Sequence, residues 1–174
     1  MNYFEFFDIP IAFIIDEAEL KKRFYENSKK YHPDFYTLES DEKQTEILEL
    51  STLNNEAYQT LADFDRRLKY ILELKNALAE EGKNEVPQDF LMEMMDINEV
   101  LMELEFDFDK AKYAQALKQI KAQESSIYAE VKSLIENYDD KKATEAELSA
   151  IKDFYLKKRY LLRIRENLSK FASQ

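Results

Sequence analysis

The stretch KKYHPDFY, residues 29 to 36, carries the one histidine of this 174-residue chain, with lysines upstream of it and a proline directly after. Proline locks φ, removes a backbone donor and pushes the residue before it out of the helical region, so a helix running into this stretch must stop near Tyr31. His32-Pro33-Asp34 therefore reads as a stiff turn that presents an imidazole and a carboxylate outward. Upstream of the turn, Asp16 stands at a cap position with Glu19 three residues on, the spacing of a capping box. Leu20, Phe24 and Tyr31 then share one face of the helix that follows. Lys22, Arg23, Lys29 and Lys30 fall on the opposite, solvent side. Residues 21 to 30 hold five basic residues and one acid, net +4, in a chain whose formal charge is −11. Such a run is either a solvated face or a patch aimed at an acidic partner. Its place beside the turn favours the second.

One glycine and three prolines, set against abundant Leu, Glu, Lys and Ala, leave few places for tight turns, so the expected fold class is all-α. After the turn, a helix over about 40–61 directs Ile47, Leu50, Leu53, Ala57 and Leu61 to the core that Leu20 and Phe24 face, so the two helices pair as an antiparallel hairpin. A shorter helix over about 65–74 follows the basic pair Arg66-Arg67. The only glycine and the last proline fall between Glu80 and Pro87, which marks a boundary. Residues 1–76 form an N-terminal domain, 77–86 a linker and 87–174 a C-terminal three-helix domain. Its helices run over about 87–104, 109–137 and 144–171.

The absence of cysteine excludes a disulfide framework, a thiolate metal site and a cysteine nucleophile. One histidine supplies too few ligands for the usual metal spacings, and Asp34 sits too close in a stiffened loop to orient His32 toward a serine or threonine. No metal, cofactor or catalytic group is expected, and the chain is not read as an enzyme. The acidic balance argues against general nucleic-acid binding, which needs a basic footprint. The opening residues lack the marks of a signal or transit peptide and nothing later is apolar for long enough to span a bilayer, so a cytoplasmic protein without a membrane partner is the default.

The helix beginning at Pro87 has two apolar stripes. Phe90, Met94, Ile97, Leu101 and Leu104 follow the spacing of a core face. Leu91, Met92, Met95 and Met102 lie about 100° to 200° around from it, beside Asp96, Glu99 and Glu103. One stripe suffices to join a bundle, so the second is covered by something else or left exposed, and methionine suits an adaptable contact. From Glu80 to Asp109 there are eleven acids and one lysine. An acidic rim around an apolar centre suits a basic partner, although a solvated acidic helix has the same composition. In the last helix, Phe154, Leu161, Ile164, Leu168 and Phe171 share a core face while Tyr155 lies roughly opposite, which makes Tyr155 a candidate surface contact.

A short opening element, a basic helix, an exposed His-Pro-Asp turn and a second helix carrying Asn55-x-Ala57-Tyr58-x-x-Leu61 together resemble the J-domain of DnaK-type co-chaperones. YFEFFDIP, residues 3 to 10, and the YHPDFY context resemble more specifically the HscB family, the J-type co-chaperones of iron–sulfur cluster assembly, over essentially the whole chain. The resemblance implies a J-domain joined to a C-terminal three-helix bundle that holds an IscU-type scaffold protein. It implies that His32, Pro33, Asp34, Lys22, Arg23, Lys29 and Lys30 engage a DnaK/HscA-type ATPase and stimulate it. By the same resemblance, scaffold binding falls to Leu91, Met92, Met95, Asp96, Glu99, Glu103 and Tyr155. Phe35 stands where Lys or Arg is frequent, Met95 where Leu is common, Asp96 where Glu is and Tyr155 where Phe is. The alternatives are a generic J-domain co-chaperone with another client, or a structural helical bundle in which His-Pro-Asp is coincidental.

Overall fold

The computed structural model describes residues 1–173, and among them there is no strand. The chain forms two compact units. The first comprises Met1–Lys75 with Tyr138–Lys142, the second Asn76–Asn137 with the chain from Ala143 on. This differs in two particulars from the expected division into 1–76, 77–86 and 87–174. The stretch read as a linker groups with the second unit, and the turn after residue 137 groups with the first, where Tyr138 sets its ring against Phe13 at 4.7 Å and Lys75 pairs with Asp140 at 2.5 Å.

In the first unit the helices are α1 (Tyr3–Phe6), α2 (Glu17–Lys30), α3 (Asp41–Ala62) and α4 (Phe64–Leu74), with a 3₁₀ turn over Pro33–Tyr36 between α2 and α3. Each start has a side-chain cap for the orphan amides of a first turn: Asn2, Asp16, Ser40 and Asp63 accept from the backbone three residues on. The reciprocal capping box forms at Asn2 and Glu5; Asp16 caps α2 with its own carboxylate. α2 and α3 pack as the expected hairpin, with Phe24 stacked on Tyr58 at 4.1 Å. Leu20, Ile47, Ala57 and Leu61 are buried with Phe4, Phe7 and Phe13 and with Leu68, Ile71 and Leu72 of α4. Burial of each large apolar side chain contributes about 1.5–3 kcal/mol. α4 ends at a left-handed Asn76, φ +54°, a conformation that asparagine tolerates better than most residues.

Two polar side chains lie inside this core. Arg67 donates from Nε to the Phe13 carbonyl at 2.8 Å and from Nη1 to the Leu61 carbonyl at 2.5 Å, the latter one of the orphan acceptors at the end of α3. Burial lowers the pKa of its guanidinium. Asn54 donates to the Phe24 carbonyl and to Ser28 Oγ, at 3.2 and 3.1 Å, which ties α3 to α2.

In the second unit, residues 79–84 form a closed loop rather than an open tether. Asn84 bonds both the amide and the carbonyl of Ala79, and Gly82 supplies the left-handed turn at φ +83°. The helix expected over 87–104 is two segments, α5 (Gln88–Glu93) and α6 (Met95–Phe106), meeting at a buried Met94. α7 (Lys110–Glu136) and α8 (Glu145–Ser169) complete a bundle. α8 is fastened to the first two by Tyr160, whose hydroxyl accepts from Asn98 at 2.8 Å and whose ring meets Phe90 edge-on at 5.7 Å.

Candidate functional site

The turn after α2 is built so that its polar groups face out. His32 caps the 3₁₀ turn: its Nδ1 accepts from the Asp34 amide at 3.3 Å, so the neutral ring carries its proton on Nε2. The Asp34 carboxylate lies 3.7 Å from Nδ1, and both side chains are more than half exposed. Tyr36 anchors the loop by donating to the Lys30 carbonyl at 2.6 Å, and Gln44 of α3 donates to the Thr37 and Glu39 carbonyls. The result is a preorganised donor and an anionic acceptor on a short rigid arc. Phe35, three-quarters exposed, sets its ring against His32 at 5.8 Å. The arc suits hydrogen-bonded recognition of another protein.

Beside it, Lys22, Lys29 and Lys30 are exposed, and none of them takes part in an ion pair among the described residues. Arg23 departs from the expectation. It is half-buried, with Nε on Glu19 at 2.8 Å and Nη1 on the carbonyls of Phe7 and Asp8, both at 2.6 Å. The bond to Glu19 and the charge of Asp8 raise its pKa. Asp8 has a left-handed backbone, φ +53°, and Arg23 holds the carbonyls on either side of that bend. Its place in a free basic face is therefore corrected: the guanidinium fastens the opening segment to α2.

On α5 and α6 the two apolar stripes separate as their periodicity predicts. Phe90, Met94, Ile97 and Leu104 are buried, whereas Leu91, Met92 and Met95 are 37%, 66% and 65% exposed. Met102 is exposed as well, and Asp96, Glu99 and Glu103 line the same surface. Glu103 has a partner already, Lys112 of α7 at 3.1 Å, a contact that raises the lysine's pKa. Tyr155 is the second correction. It is 5% exposed, between buried Phe154 and Leu156, and its hydroxyl accepts from Arg159. Three consecutive buried residues mean that α8 is enclosed on more than one side, so the direction opposite its core stripe is not solvent. Among the described residues, no group of three or more His, Cys, Asp or Glu is arranged to hold a metal ion, and no helix is long and apolar enough to cross a membrane.

Comparison with known proteins decides the family. A family model described as the HSCB C-terminal oligomerisation domain matches residues 86–169. The co-chaperone protein HscB homolog of Psychromonas ingrahamii is 31% identical over 158 residues, spanning 90% of this chain and 92% of its own. The chain belongs to the HscB co-chaperone family. A second HscB homolog, from Haemophilus ducreyi, is 33% identical over 144 residues, 82% of this chain and 83% of the relative. Among solved structures, HscB from Vibrio cholerae matches with a TM-score of 0.70 at 26% identity, covering 100% of this chain and 99% of its own. Human co-chaperone HscB matches at 0.74 and 28%, covering 97% and 81%. The all-helical HscB fold, a J-domain followed by a C-terminal three-helix bundle, is thus the fold of this chain, and its role is that of a co-chaperone.

Proposed function

We propose that this HscB-family co-chaperone is a cytoplasmic adaptor, without covalent chemistry of its own. It delivers an IscU-type iron–sulfur scaffold to a DnaK/HscA-type chaperone and stimulates the chaperone's ATPase. The observation that carries the reading is the His32-Pro33-Asp34 turn, fixed by its own cap and by Tyr36 with its imidazole and carboxylate outward. Lys22, Lys29 and Lys30 add long-range attraction to an acidic surface, which acts mainly on association rate and orientation. Leu91, Met92 and Met95 are the apolar anchors for the scaffold, with Asp96, Glu99 and Glu103 as an acidic rim. Lys112 must yield Glu103 for that rim to be complete, an exposed pair that costs little to open. Holding both partners raises their effective concentration for each other. The test is ATP hydrolysis by a DnaK-type chaperone with this protein present, with and without the scaffold. Stimulation that grows when scaffold is added supports the reading; no stimulation in either case removes it.

A further inference from the structure

The apolar surface on α6 continues past the residues assigned to the scaffold. Met95, Met102 and Phe106 stand at i, i+7 and i+11, which places them within about 20° of one line along the helix and about 16 Å from end to end. Met102 is 63% and Phe106 92% exposed, while Ile97 and Leu104 on the other side are buried. A lone exposed apolar residue calls for no explanation, but a line of three that continues from Leu91 and Met92 does. Phe106 sits one helical turn beyond Met102, at the very end of α6.

We infer that the scaffold-binding face extends through Met102 to Phe106, so that the client seats an apolar side chain against the last turns of α6. The inference rests on the reading of α5 and α6 as the scaffold site. Charge selects the occupant. Glu99, Glu103, Glu105 and Asp107 flank the line, and of these only Glu103 has an ion pair among the described residues. A second copy of this chain in the same orientation would bring acid against acid, whereas a client with basic groups around an apolar centre is complementary at both. The extension also lengthens the contact along the helix axis, and with Tyr155 buried it gives the interface an aromatic anchor that the remaining six residues, Leu91, Met92, Met95, Asp96, Glu99 and Glu103, lack.

Titration calorimetry of the full chain with an IscU-type scaffold tests this. Met102→Ser with Phe106→Ser weakens binding roughly tenfold, with the melting temperature unchanged because both side chains are exposed. Phe106→Leu retains affinity. Phe106→Glu loses it although it adds a negative charge toward a basic client, which separates an apolar contact from simple attraction. If the double variant lowers the melting temperature, Phe106→Glu alone decides, since that side chain is nearly free of the fold. Parent-like binding by Phe106→Glu and by the double variant, with Leu91→Ala, Met92→Ala and Met95→Ala together abolishing it, ends the face at Met95 and leaves the scaffold reading intact. Parent-like binding by that triple variant removes the scaffold reading and this inference with it. Should Phe106→Glu reduce only self-association in sedimentation, the line belongs to a contact between copies and the inference is overturned.

Discussion

The first unit exposes polar groups on a loop that is tied down at both ends, and the second exposes apolar groups on helices whose opposite faces are buried. His32 and Asp34 reach solvent because Pro33 stops a helix and Tyr36 and Gln44 hold the turn in place. Met92 and Met95 reach solvent because the buried stripe of Phe90, Met94, Ile97 and Leu104 already satisfies the bundle. The charges are opposite too: net +4 over residues 21–30, against eleven acids and one lysine over residues 80–109. A directional loop suits a switch, where a few hydrogen bonds must be made in one geometry. An adaptable methionine face suits holding a client, where apolar area and rim charge set affinity. The two surfaces should therefore fail independently, and the following substitutions test whether they do.

The largest effect is expected from His32→Gln. It reduces chaperone stimulation to the level without co-chaperone, while stability changes by no more than about 0.5 kcal/mol, because an exposed loop side chain carries little of it. Steady-state ATPase rates and thermal melts read both; a large stability loss would instead make this a core histidine. Next, Leu91→Ala, Met92→Ala and Met95→Ala together weaken scaffold binding by about a hundredfold or more, leaving basal ATPase stimulation in place and removing only the increment that scaffold adds. Buried residues truncated in this way cost about 2–5 kcal/mol each, so a triple variant that unfolds would place the stripe in the core.

Tyr155→Ala sharpens the comparison in the other direction. As a buried aromatic of α8 it destabilises the second unit by about 3–5 kcal/mol, visible as a lower melting temperature, and scaffold binding suffers only as far as the fold does. An unchanged melt with lost binding would restore it as a surface contact. The smallest effect belongs to Lys22→Glu with Lys29→Glu. Chaperone binding weakens several-fold at low salt and its salt dependence flattens, since the lost attraction is one that a Debye length of about 8 Å would have screened. Equal salt slopes for parent and variant count against a basic docking face.

Local rules account for what could be read in advance. The stop after α2 is written in His32-Pro33, the helix starts in Asp16, Ser40 and Thr144, and the face that each residue takes along a helix in the 3.6-residue period. The J-domain and HscB resemblance was legible in the same way, through the tripeptide and the opening YFEFFDIP, because those are spacings along the chain. Phe106 lies beyond Leu104, where the core stripe of α6 ends, so that stripe does not mark it, although its spacing from Met95 sets it on the exposed line.

What the chain by itself determined is therefore the helical character, the stiff outward turn, the separation of two stripes on one helix and the opposite charges of the two regions. Only the tertiary structure decided the fates of Arg23, Arg67, Asn54 and Tyr155. A basic or amide side chain becomes structural when a distant segment leaves carbonyls in need of a donor: Phe7 and Asp8 for Arg23, Phe13 and Leu61 for Arg67, Phe24 for Asn54. Periodicity likewise tells which way Tyr155 points from its own helix, but not how many neighbours surround that helix. Burial is a property of the assembled bundle, and it turned a residue opposite the core stripe into part of the interior.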